Sequence, residues 1–136
     1  MAFAIKKSAP VHFPKAKPAK KADYLSFLHR LPCVVTGRRP VEAAHVSFKA
    51  PQFGAYGRGK GHKVSDRWAL PVCSDAHADQ HKHNEEDWWL NLGINPHLVA
   101  LIIWGLWTEY GDEAETFATA VINQQLAARG ALRERE

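Results

Sequence analysis

Residues 98 to 107 read Leu-Val-Ala-Leu-Ile-Ile-Trp-Gly-Leu-Trp, with no charged side chain among them. Asn95-Pro96 just ahead is the cap-then-proline order that opens a helix. A helix apolar on nearly every face must be buried, in this chain or against a partner. The remaining elements, or a partner, therefore have to cover it. The run is far short of the roughly 20 residues a membrane-spanning helix needs, and Gly105 interrupts it, so no membrane association is expected. Residues 1 to 10 lack the apolar stretch and small-residue cleavage site of a secretory signal. At 136 residues, with 46% hydrophobic and 24% charged, the chain is expected to form one compact domain plus trimmings rather than a disordered one.

Around that helix the sequence divides into a flexible basic arm (1–22), a central folded domain (23–110) and a C-terminal helix (111–136). The arm is rich in Pro, Ala and Lys and has no apolar periodicity. Tyr24, Leu25, Phe27 and Leu28 suggest a short helical turn. Cys33-Val-Val-Thr-Gly-Arg-Arg-Pro40 reads as a tight knuckle, with glycine for the turn. Val41 to Phe48 places apolar residues at alternating positions 44, 46 and 48, as in a short strand. Residues 51 to 62 hold four glycines and read as a mobile loop. Trp68 to Cys73 is a second apolar strand, and Ser74 or Asp75 is suited to cap a helix running through His77 and His81. In the last helix, from about Asp112 to Ala128, Ala114, Phe117, Ala118, Val121, Ile122 and Leu126 recur at helical spacing. The expected class is α+β.

The net charge of +4 is unevenly spread. Six lysines precede Tyr24, and eight basic residues against two acidic ones lie between Arg30 and Arg67. From Asp75 to Glu115 nine acidic residues face only Lys82. A basic first half suits a polyanion, because each neutralised phosphate releases counterions; a solvated basic face that binds nothing is the plainer alternative. Arg38 and Arg39 at the knuckle, and Arg58, Lys60, Lys63 and Arg67 in and after the glycine-rich loop, are the candidate phosphate contacts. Phe53 and Tyr56 interleave with them and are able to stack on bases of a single strand. A solubilising loop is the competing reading. Trp88, Trp89, Trp104 and Trp107 are assigned to packing.

The chain holds eight histidines, and three of them fall in a telling order. His45 lies on the first strand, while His77 and His81 follow the second strand on a helix. Two residues four apart share a helix face, so both imidazoles are able to reach one ion, and imidazole is a good ligand for divalent transition metals. Surface histidines on a polar helix are the alternative, since Asp75, Asp79, Gln80, Lys82 and His83 surround them. Only two cysteines, Cys33 and Cys73, argue against a disulfide scaffold and fit a reducing cytoplasm.

The stretch Cys33-Val-Val-Thr-Gly-Arg-Arg-Pro-Val-Glu-Ala-Ala-His45, then Lys63-Val-Ser-Asp-Arg-Trp-Ala-Leu-Pro-Val-Cys73-Ser-Asp-Ala-His77-Ala-Asp-Gln-His81, resembles the HNH endonuclease superfamily. Within it the chain is most similar to phage and prophage Ref-like recombination-enhancement nucleases. Trp88-Trp89-Leu-Asn-Leu-Gly-Ile-Asn-Pro96 adds to the likeness, which covers roughly residues 30 to 107.

This resemblance implies a ββα-metal fold, two antiparallel strands and a helix around one divalent ion. The implied activity is hydrolysis of DNA phosphodiesters, single- or double-stranded, by a phage-encoded enzyme in a bacterial cytoplasm. A recombinase filament is an implied partner. By the same resemblance His45 is the general base and His77 and His81 hold Mg2+ or Mn2+, with Asp66, just ahead of the second strand, a carboxylate ligand or a residue that orients one, a turn cap being the alternative; Zn2+ or Ni2+ are ions such sites also take. The chain departs from the family pattern at Ala44, where a metal ligand often stands, and at Trp68, where the middle Asn often stands. Thr36 and Ala76 replace two of the four structural-zinc ligands, so structural zinc is not expected. A non-catalytic nucleic-acid-binding or structural accessory protein on a degraded HNH scaffold is the alternative.

Overall fold

The computed structural model describes residues 21–58 and 63–131. Among them are five α-helices and one two-stranded antiparallel sheet, a mixed α+β architecture. The basic arm lies outside the described residues, apart from Lys21 and Ala22, which already belong to α1 (Lys21–Leu28). This helix is longer than the turn expected from the sequence. Tyr24, Phe27 and Leu28 share one face, and they and Leu31 are fully buried.

Strand β1 (Val41–His45) pairs with β2 (Ala69–Cys73), from Val41 opposite Cys73 to His45 opposite Ala69. Both strands are shorter than the apolar alternation suggests. After His45 the backbone finds partners on helices instead of a strand: the Ser47 N–H donates to Glu85, and the Phe48 carbonyl accepts from His97. Val46 keeps one link, donating to the Trp68 carbonyl. Ahead of β2, Asp66–Trp68 forms a 3-10 turn capped by Ser65, whose hydroxyl accepts from the Arg67 N–H. The glycine-rich loop begins with a second 3-10 turn, Pro51–Phe53, closed by a bridge between Ala50 and Ala55.

Helix α2 (Ser74–Gln80) follows β2 without a connecting loop. Cys73 occupies its N-cap, no side chain caps it, and His81 stands at the C-cap rather than inside the helix. Ser74 and Asp75 are thus first-turn residues, not caps. Helix α3 (Glu85–Leu92) is capped by Asn84 and ends at Gly93 in the left-handed region. Helix α4 (Pro96–Tyr110) opens as its sequence indicates, with the Asn95 side chain accepting from the Leu98 N–H.

Total burial of α4 is not what the fold provides. Val99, Ala100 and Ile103 are buried, while Leu101, Trp104, Leu106 and Trp107 are only partly so and Leu98 is exposed. A domain this small has too few elements to enclose a helix on every side: α4 packs on α5, β2 and the Asp66–Trp68 turn. Trp104 and Trp107 close over the Tyr24 ring, at 4.8 and 5.1 Å. Helix α5 (Ala114–Ala128) starts after a 3-10 turn at Gly111–Glu113. Its buried stripe is narrower than expected: Ala114, Ala118, Ile122 and Leu126 face inward, whereas Phe117 is 48% exposed. Among the described residues no single helix is long and apolar enough to cross a membrane.

Candidate functional site

The register of the sheet decides where the histidines meet. His45 ends β1, and α2 springs from the opposite end of β2, beside Val41 and Glu42, then runs back along the strand. His45, His77 and His81 accordingly line one cavity of about 580 Å³, together with Arg58 and Glu85. A second cavity, of about 420 Å³, also borders His45 and is lined by Arg58, Lys63 and Asp66 as well. His45 and Arg58 belong to both.

Each imidazole is held by a named partner. The His45 Nε2–H donates to Asp66 Oδ1 at 2.8 Å. That bond fixes the tautomer and leaves Nδ1 with its lone pair. Asp66 is thereby placed on His45; its position in the 3-10 turn, just before β2, aims it at the strand end opposite. The His77 Nδ1–H donates to Glu42 Oε1 at 2.6 Å, so Nε2 of His77 is an acceptor. It faces Nε2 of His81 at 3.2 Å.

A carboxylate on the far nitrogen is the usual support for a metal-binding histidine, since it orients the ring and raises its basicity. Two nitrogen ligands at ~2.1 Å from one ion, subtending roughly 90 to 110°, stand about 3.0–3.4 Å apart. The observed 3.2 Å fits. Among the described residues no group of three or more His, Cys, Asp or Glu is arranged to hold a metal. Two imidazoles alone would leave most positions of a divalent ion to water or other ligands.

Glu85 completes the cleft, and the sequence reading passed over it. The four-residue interval from His77 to His81 continues to Glu85, and that was the available signal. Both carboxylate oxygens accept from the Ser47 N–H, at 3.1 and 3.2 Å, tying the chain after His45 to α3. Burial raises its pKa against the opposing pull of the Ser47 and Trp89 N–H groups and of His81. Glu42 was also missed; a lone acidic residue in a short strand carries no signal before its partner is known.

The basic residues separate into two groups. Arg58 and Lys63 border His45. The Arg58 N–H donates to the Ser47 carbonyl, and Gly57 beside it takes φ +76°. Arg38 and Arg39 are exposed but precede Val41, at the other end of a strand that spans about 13 Å. The Arg39 guanidinium donates to the Arg30 carbonyl. Arg67 is partly buried with its guanidinium 5.0 Å above the Trp68 ring. Lys60 lies outside the described residues. Tyr56 is exposed, whereas Phe53 is half-buried in a separate cavity against α3 and α4. Of the tryptophans, Trp88 and Trp89 are buried and pack edge to face at 4.9 Å.

The cysteine knuckle forms as a unit. Cys33 Sγ accepts from the backbone N–H groups of Val35 and Thr36, at 3.3 and 3.4 Å. The Thr36 hydroxyl contacts Cys73 Sγ at 3.6 Å. Burial would raise the Cys73 thiol, but hydrogen bonds from Thr36, the Ala76 N–H and Cys33 outweigh it and hold the pKa below its ordinary value. Both thiols are free and buried.

Residues 1–104 match the family model described as "Protein of unknown function (DUF968)", and the chain belongs to that family. No curated protein and no solved structure matches it.

Proposed function

We propose that this DUF968 chain is a metal-dependent DNA endonuclease of the HNH type, with β1, β2 and α2 as a ββα-metal core. One observation carries the reading: His45, His77 and His81 line a single cleft, and a carboxylate partner sits on both His45 and His77. Arg58 and Lys63 supply positive charge around His45, which favours a phosphodiester there.

In this reading Asp66 holds His45 through Nε2–H, so Nδ1 is the atom that takes a proton from the attacking water. Asp66 also stabilises the imidazolium that results. Arg58 borders both cavities and is placed to offset charge on the phosphoryl oxygens. His77 and His81 would hold the divalent ion through their Nε2 atoms, with Glu42 fixing the His77 ring. To do so His81 would carry its ring proton on Nδ1 and free Nε2, a change of tautomer. When bound, such an ion stabilises negative charge on the phosphoryl and leaving oxygens. The leaving-group proton comes from solvent or from the protonated His45.

Ala44 favours a second reading, a nucleic-acid-binding protein without catalysis. It is a buried methyl at a position where HNH relatives often carry a ligand, and so the ion rests on two imidazoles. The test is cleavage of supercoiled plasmid and of single-stranded DNA with Mg2+ or Mn2+, with a chelator control and His45→Ala alongside. The endonuclease reading expects metal-dependent cutting that falls by about 10²- to 10⁴-fold in His45→Ala with DNA binding retained. Equal cutting by parent and variant, or none with any divalent ion, refutes it.

A further inference from the structure

We propose that the cavity on the α3–α4 side of the histidine cleft holds one unpaired nucleobase of the bound strand, which makes single-stranded or locally opened DNA the favoured substrate. The identity of the polymer rests on the reading above; the pocket itself does not depend on catalysis. The cavity measures about 430 Å³, and its walls include Phe48, Phe53, Trp89, Ile94 and His97. Among the described residues its charged lining residues are Lys49 and Glu86, of opposite sign. A half-open recess with aromatic walls and no net charge among its described lining suits a flat neutral ring better than a phosphate. Gln52 on the same wall offers a donor and an acceptor to the polar edge of such a ring.

His97 makes the floor rigid. It is 1% exposed, its Nε2–H donates to the Phe48 carbonyl at 3.0 Å, and the Phe48 and Trp68 rings meet it edge-on. Burial lowers its pKa, which favours the neutral ring. The Phe53 ring lies within 13° of parallel to His97, at 6.5 Å. At the rim Leu90 is left 72% exposed, an apolar side chain in water beside the opening.

Continuity with the cleft selects the occupant. Ser47 and Glu85 line the histidine cleft, and the next residues, Phe48 and Glu86, line this cavity. The segments Ser47–Phe48 and Glu85–Glu86 therefore border both spaces. A strand with a phosphate at His45 and its backbone along Arg58 and Lys63 thus has an aromatic recess for a neighbouring base. An apolar side chain of a protein partner would fill the same space but would have no reason to lie next to the basic cleft.

The experiment compares, in a chelator, an oligothymidylate of about 12 nucleotides with an abasic strand carrying the same number of phosphates, by fluorescence anisotropy on the full chain. One stacked base is worth about 5- to 150-fold in affinity, so the thymidylate should bind tighter by that order. Phe53→Ala should remove most of the difference without changing the salt dependence, and Phe53→Tyr should restore it. Leu90→Asn, at an exposed position that does not threaten folding, should weaken thymidylate binding roughly threefold. Equal binding of the two strands, or thymidylate binding unchanged in both Phe53→Ala and Leu90→Asn, overturns the proposal and leaves a protein side chain as the better occupant. Base-dependent binding without cleavage under any metal supports the pocket while removing the endonuclease reading, so the two failures are distinct.

Discussion

Gly57→Ala tests whether the loop that carries Arg58 is built as described. Gly57 has φ +76°, and a Cβ there would stand 2.9 Å from the Ser47 carbonyl oxygen. That oxygen is backbone, and it already accepts the Arg58 N–H at 3.2 Å. Left-handed geometry alone costs a non-glycine residue about 1–2 kcal/mol, part of which the lost freedom of the unfolded chain offsets. The close approach adds more, because relieving it means moving Ser47 by roughly half an ångström and losing a hydrogen bond worth ~1 kcal/mol. The sum is about 2–3 kcal/mol. Gly54→Ala is the matched control: its φ is +82°, but nothing lies within 4 Å of the added methyl. It should cost only ~1 kcal/mol. Urea melts of both variants against the parent measure the difference directly. Gly57→Ala should also weaken DNA binding by shifting Arg58 from His45. Equal destabilisation of the two variants would show that the loop does not close on Ser47.

Two further outcomes follow from buried groups. The folded pKa of His97 lies below its ordinary value, so the unfolded state takes up a proton first as pH drops. Its contribution is present above about pH 6.5 and is lost as pH falls through the folded pKa, with a slope of at most ~1.4 kcal/mol per pH unit. His97→Gln, though less stable at pH 7, should show a shallower decline between pH 7 and 5 in urea midpoints; a parallel decline would exclude His97 as the source. Cys33→Ala removes the acceptor of two turn N–H groups at a fully buried site and should cost about 1–3 kcal/mol by the same melts. A cost near zero would mean that the knuckle is held by its backbone bonds alone, such as the Gly37 N–H to the Cys33 carbonyl at 2.8 Å.

Local signals sufficed where a single segment settles its own structure. Asn95-Pro96 marks the start of α4, and the three-and-four spacing of Tyr24, Phe27 and Leu28 gives α1 its inner face, because caps and helical periodicity act within one turn. The apolar patterns of Val41 to Phe48 and Trp68 to Cys73 likewise indicate two strands, with a helix following at Ser74. Tertiary structure decided the rest, since it depends on residues distant in the chain. Val46 to Phe48 keep strand-like alternation, yet the strand stops at His45 because Glu85 and His97, 38 and 49 residues away, take the backbone bonds of Ser47 and Phe48. Asp66 sits on His45 only because the antiparallel register brings Ala69 opposite that histidine, and nothing local to residue 66 distinguishes this from a turn cap. The face of α4 that is buried depends on the α5 and β2 surfaces packed against it. An apolar sequence states that burial is favourable, but the number of neighbours a small domain can supply determines how much of it occurs.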